Sequence, residues 1–204
     1  MRARRTRPSG PPPGLDATAI EHVAFEERAL RAMLADVDAG FRPRHRHEAI
    51  GMLFGRVGRD SICRVARAVP YGTWFRSGTW VAPHPRAWRR RGAALAERLG
   101  LRYLGAYHSH PQLGRERVPP FRSHEDDDWL WRDRAASIDL LVRVWGQQRP
   151  PHRRYRDSLY HYEPAPGFAY EISACGMEED EVVTIPIRGW GAPPRKRRTA
   201  YRRR

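Results

Sequence analysis

The chain has 204 residues, enough for one domain and too few for two full cores. With 40% hydrophobic residues and seven Trp it can bury a core, which excludes a wholly disordered chain, and no stretch approaches the roughly 18 consecutive apolar residues of a membrane-spanning helix. The net charge of +15 suggests nucleic acid until it is divided along the chain. Arg2, Arg4, Arg5 and Arg7 at one end and the seven basic residues from Arg195 to Arg204 at the other hold 11 of the 38 basic residues, leaving 27 against 23 acids in between.

The ends therefore read as solvated basic tails, with specific nucleic-acid binding as the lesser reading. Only one of the 38 basic residues is Lys, so a compositional bias toward Arg accounts for the guanidinium groups as well as phosphate recognition does. The two cysteines, Cys63 and Cys175, lie far apart and read as free buried thiols. Met1 to Pro13 has no apolar export core, so a cytoplasmic location is expected, with no membrane partner. The expected organisation is a disordered Arg/Pro-rich leader over 1–15, one domain over 16–188 and a disordered basic tail over 189–204.

Taken in order, His22 to Phe25 reads as a short strand. Glu26 to Asp38 carries apolar residues at spacings of three and four (Ala29, Leu30, Met33, Leu34, Val37), which predicts an amphipathic helix ended by Gly40. Ala49 to Val57 and Ser61 to Val69, joined through Gly58-Arg59-Asp60, read as a hairpin. Tyr71 to Pro85 reads as a loop or irregular strand. Arg86 to Leu99 reads as a helix closed by Gly100, and Leu101 to His110 as a strand ended by Pro111. His124 to Ala136 has a helical pattern and Ile138 to Trp145 that of a buried strand. Leu159 to Tyr162, Ala169 to Ser173 and Val182 to Ile187 are weaker strands. The fold class is α/β (α+β), a mixed sheet sandwiched by two to three helices.

The chemistry concentrates in His108-Ser109-His110-Pro111 and Ser123-His124-Glu125-Asp126. Nine His give roughly 0.4 H-x-H pairs by chance, so context must discriminate. On a strand, positions i and i+2 share a face about 6.6 Å apart, and two imidazoles there can converge on one ion at about 2.0 to 2.1 Å. A carboxylate would complete a zinc site, and Asp126 can supply it. Ser123-x-x-Asp126 is equally a helix-capping pattern, and Asp127 and Asp128 are competing acids. The second pair, His45-Arg46-His47, is interleaved with Arg42, Arg44 and Arg46, which disfavour a dication. Glu48 precedes an apolar strand and reads either as a solvent-facing strand-end acid or as one directed into a cleft. Gly51 stands where H-E-x-x-H would need its second histidine.

Glu48 followed by Ala-Ile-Gly-Met-Leu-Phe-Gly, then Gly105-Ala-Tyr-His108-Ser-His110-Pro, then Ser123-x-x-Asp126, resembles the motif E…H-[ST]-H-P…S-x-x-D of the JAMM (JAB/MPN) metalloprotease family, in its prokaryotic form, over roughly residues 20–145. The resemblance implies a JAB/MPN-like fold. It implies one Zn²⁺ per chain held by His108, His110 and Asp126, with Glu48 as general base and Ser123 as hydrogen-bond donor to the oxyanion. It also implies hydrolysis of an amide or isopeptide bond at the C-terminal tail of a ubiquitin-like or sulfur-carrier protein. Tyr71 to Trp80 falls where the family carries a substrate-facing insertion, the alternative being a loop that tucks its aromatics inward. Arg115, Arg117 and Arg122 would favour an acidic partner surface. One departure is length: twelve residues, Pro111 to Arg122, separate His110 from Ser123, where the family pattern usually has seven. Two other readings are a non-catalytic MPN-type scaffold, which typically lacks the ligand set, and a RadC-type DNA-associated protein, which usually carries Asn where Ser109 stands.

Overall fold

The computed structural model describes residues 20–42, 47–72, 76–77, 80–81, 84–111, 133, 136–146, 157–163, 167–178 and 181–188. The expected leader (1–15), tail (189–204) and nearly all of the expected helix 124–136 lie outside these residues, as do Ser123 and Asp126. Among the described residues, ten strands and two helices follow in chain order. They are β1 (His22–Phe25), α1 (Glu27–Phe41), β2 (Ile50–Val57), β3 (Ile62–Pro70), β4 (Arg76–Ser77), β5 (Trp80–Val81), α2 (Pro85–Leu99), β6 (Arg102–Pro111), β7 (Ile138–Trp145), β8 (Leu159–Glu163), β9 (Phe168–Glu178) and β10 (Glu181–Ile185).

Eight strands form one mixed sheet in the order β1-β3-β2-β6-β7-β9-β10, with β8 also on β9. The pairs β1–β3 and β6–β7 are parallel and the others antiparallel. The sheet curls until its two ends meet. Val23 N–H donates to Pro186 O at 2.8 Å and Arg188 N–H to Val23 O at 2.9 Å, a parallel bridge between β1 and Ile187 just beyond β10.

The two faces bury separate clusters. One joins Ala29, Met33, Leu34, Val37 and Phe41 of α1 to residues from both ends of the sheet, including Val23, Leu53, Tyr107, Val142, Ile172 and Ile187. The other packs Trp88 and Leu95 of α2 on Ile50, Met52, Phe54 and Ala106. The apolar spacing of three and four along α1 is what lets one helix fill the first cluster. In α2 only Trp88, Gly92 and Leu95 are buried, so it rests on the sheet by a narrow stripe.

Gly105 decides which face the later residues of β6 occupy. Its φ is +146°, and a Cβ there would lie 1.7 Å from Ile138 O. The register between β2 and β6 shifts at this point, so Tyr103 and Ala106 face α2 while Leu104 and Tyr107 face α1. Alternation then puts His108 and His110 on the α2 side and Ser109 on the α1 side.

Several expectations need correction. Gly40 does not end α1; the helix runs on to Phe41 and closes at Arg42. Gly40 is there for close approach, since a Cβ would meet His47 O at 2.8 Å and Gly40 O accepts the His47 N–H. Within Tyr71 to Pro85, read as a loop or irregular strand, β4 and β5 do pair, but Pro85 already begins α2. Pro111 stays in register with Val144 as the last residue of β6, where its missing N–H ends the ladder. The strand expected over Ala169 to Ser173 extends to Glu178, and β10 stops at Ile185, with Ile187 bridging separately.

Candidate active site

The site is built where β2 begins and β6 ends, two neighbouring strands near the middle of the sheet. Ile50 is the register partner of His108, so the chain just before Ile50 lies beside the chain just after His108. That topology sets Glu48 against His110. Glu48 Oε1 is 3.8 Å from His110 Nε2, and each side chain is 12% exposed. The two imidazole centroids are 5.1 Å apart at an interplanar angle of 61°. Three chemistry-bearing side chains from two distant stretches of chain thus come together, all largely buried.

His108 has an acidic partner of its own. Its Nδ1 lies 3.5 Å from Oδ2 of Asp139, a β7 residue only 2% exposed. Asp139 is the register partner of Ala106, two residues before His108 on the same face. A carboxylate on Nδ1 is the usual device for fixing an imidazole so that Nε2 is presented to a ligand. The sequence reading did not single out Asp139. Its signal was a lone acid in the otherwise apolar opening of Ile138 to Trp145, where an uncompensated charge would be costly.

Further along the same row, Arg143 is the register partner of His110, and its guanidinium pairs with Glu171 of β9, which also accepts the Ser158 hydroxyl at 2.7 Å. Glu171 is buried, so this ion pair carries a hydrogen bond as well as a charge partner. On the same, α2-facing side of the sheet, Trp88 Nε1 donates to Tyr103 Oη at 2.9 Å and to Asp133 Oδ2 at 3.1 Å, and the Tyr103 hydroxyl donates to the same carboxylate oxygen at 2.6 Å. Burial, then the Asp133 charge, push the Tyr103 hydroxyl well above the ordinary phenol range, so it stays a donor. Asp133 stands seven residues beyond Asp126 in sequence, and this network ties it to α2 and β6.

Of the five residues singled out by sequence, Glu48, His108 and His110 come together. Ser123 and Asp126 lie outside the described residues, and among the described residues no three His, Cys, Asp or Glu side chains cluster as a metal-holding group. The His108 and His110 imidazoles are donors of the kind a Zn²⁺ site uses, and two of them share this end of β6. The thiols stand apart from this chemistry: Cys63 is free and buried, and burial pushes it up to about 12. Among the described residues no helix is long and apolar enough to cross a membrane.

The family model for prokaryotic homologs of the JAB domain matches residues 26–156, a span that takes in β2, β6, β7 and every residue of the motif. Among solved structures, the solution structure of protein DSY2949 from Desulfitobacterium hafniense is similar in fold. Its TM-score is 0.53 at 17% sequence identity, covering 82% of this chain and 92% of that one. No curated protein matches the chain. With more than half of its length matched by that family model, and with a curled mixed sheet and two helices among the described residues, the chain belongs to the prokaryotic homologs of the JAB domain.

Proposed function

We propose that the chain is a zinc-dependent isopeptidase or peptidase of JAMM type that hydrolyses an amide or isopeptide bond at the C-terminal tail of a ubiquitin-like or sulfur-carrier protein. The observation that carries this reading is the 3.8 Å approach of the Glu48 carboxylate to His110 Nε2, with the His108 ring alongside. A strand-end acid with no task there would turn to water; this one is 12% exposed and faces the histidines. His108, His110 and Asp126 would hold the zinc. When bound, the ion supplies Lewis acidity, polarising a water and the scissile carbonyl near neutral pH.

The remaining work belongs to the chain's own groups. Glu48 takes the proton of the attacking water and delivers it to the leaving amine, which requires a carboxylate within one water of both. Asp139 holds the His108 ring in place through Nδ1. Ser123 donates a hydrogen bond to the tetrahedral oxyanion, a contact whose loss costs about 10² to 10³ in turnover. The protein substrate presents an extended tail, whose backbone can pair with an exposed strand edge while small residues reach the histidines.

The test uses the full chain and a ubiquitin-like protein fused through its C-terminal tail to a reporter. Wild type is expected to carry one zinc per chain and to cleave after the tail, and a chelator to stop it. Glu48→Gln keeps its zinc and loses about 10² to 10⁴ in turnover. Wild-type turnover by Glu48→Gln removes the assigned base, and a chain that takes up no zinc removes the hydrolase reading altogether.

A further inference from the structure

Ser109 stands between the two histidines but faces away from them, and it is fully buried. In a regular antiparallel pair, residues placed like Ala49 and Ser109 exchange two backbone bonds, each N–H donating to the other's carbonyl. Only one of these is made. Ser109 N–H donates to Ala49 O at 2.9 Å, whereas Ala49 N–H donates to the Ser109 side-chain oxygen at 2.8 Å. The hydroxyl has replaced its own residue's carbonyl as the acceptor. The register between β2 and β6 runs to Ile50 and His108 and no further. The ladder therefore ends on a side-chain bond one residue short of Glu48 and His110, the pair that would be next across from each other.

Two consequences follow from this geometry. First, the strands are released from regular pairing at the position where a cleft is needed, so Glu48 and His110 face each other through side chains at 3.8 Å. Second, the release is not loose, because Ala49 is held from both its N–H and its carbonyl by one buried residue 60 positions away. Glu48 is covalently bound to Ala49, so the place from which its side chain leaves the backbone is set by that pair of hydrogen bonds. We propose that Ser109 is a positioning residue: its hydroxyl ends the β2–β6 ladder and holds Glu48 over the histidines.

This inference rests on the hydrolase reading for its catalytic consequence and on geometry alone for its structural one. Ser109→Thr and Ser109→Val add the same bulk, and only Thr keeps a hydroxyl for the Ala49 N–H. Three measurements on the full chain separate them: exchange of the Ala49 amide in the zinc-free protein, crystal structures of both variants, and steady-state cleavage of the tail fusion. The Thr protein is expected to keep Ala49 protected, keep Glu48 beside His110 and keep kcat within about threefold, since a lock that survives leaves the reacting geometry intact. The Val protein is expected to exchange Ala49 at least about tenfold faster, to move the Glu48 carboxylate by about 1 Å or more and to lose about 10- to 100-fold in kcat with KM and zinc affinity little changed.

Equal Ala49 exchange in the two variants, or an unmoved Glu48 in the Val protein, overturns the lock. Faster exchange and a displaced Glu48 with undiminished kcat overturn its role in catalysis. A wild type that cleaves nothing defeats the hydrolase reading instead, and exchange and crystal structures still decide the lock. Ser109→Ala, which adds no bulk, serves if both larger variants fail to fold, with the same readouts and the same expectation as Val.

Discussion

Gly51 illustrates how one residue type can be read for the wrong reason. Its place in the sequence marks the absence of a second histidine from H-E-x-x-H, but its role is steric: a Cβ there would lie 2.3 Å from the Tyr107 ring. Tyr107 crosses directly over Gly51, its register partner, and donates from its hydroxyl to Asp36 of α1 at 2.8 Å. The ring cannot swing aside without giving up that bond. Gly51→Ala is therefore expected to cost about 1 to 3 kcal/mol, the usual range for an overpacked core, read as a lower denaturant midpoint at unchanged m-value. Because Gly51 lies three residues from Glu48 and Tyr107 adjoins His108, cleavage should fall as well. An Ala variant as stable as wild type would mean that Tyr107 does not hold the position described.

At the level of elements, β1 carries a buried titratable group. His22 is buried, and burial, with Arg188 and Arg64 nearby, holds its pKa below the ordinary 6.5 despite the opposing charges of Glu21 and Asp60. Below pH 6.5 the unfolded chain protonates this histidine while the folded chain does not, so the unfolded state binds more protons and stability falls as pH drops. The slope runs from 6.5 down to the lowered folded value. His22→Gln removes the titration and should flatten the stability-against-pH curve in that window; identical curves would show that β1 accommodates the charge. The elements themselves were largely legible. Ile138 to Trp145 is β7 to the residue, and Gly100 closes α2 in the left-handed conformation its lack of a Cβ permits. The turn between β2 and β3 marks them as a hairpin, but periodicity reports which way side chains point and not which strand lies alongside, so the order β2-β6-β7 could not be read from it. The site divides along the same line. His108 and His110 are legible as an i, i+2 pair, whereas Asp139 reaches His108, and Ser109 reaches Ala49, only through pairings between distant strands.

Over the whole molecule, closure of the curled sheet is the feature on which the positions of both ends depend. An open sheet would leave the edges of β1 and β10 as templates for pairing with another chain. Here Val23 is bonded from its N–H to Pro186 and from its carbonyl to Arg188, and Ile187 N–H reaches Asp157 O at 3.0 Å, so residues 186–188 seal the seam. Ile187 also joins the buried cluster around α1. Two truncations follow from this. Ending the chain after Arg188 leaves every described contact in place and removes seven basic residues, so the melting temperature should hold while any salt-sensitive binding to polyanions weakens. Ending it after Ile185 takes away three seam hydrogen bonds and a buried Ile side chain. At about 1 kcal/mol per bond and about 1.5 to 3 for the Ile, that is roughly 4.5 to 6 kcal/mol, comparable to the entire stability of many domains. It should melt far lower and, with the edge of β1 bare, form dimers or larger species in light scattering. Were the shorter chain to remain monomeric and as stable as the longer one, the seam would not be what closes the sheet, and the burial of α1 would have to be carried by the other strands alone.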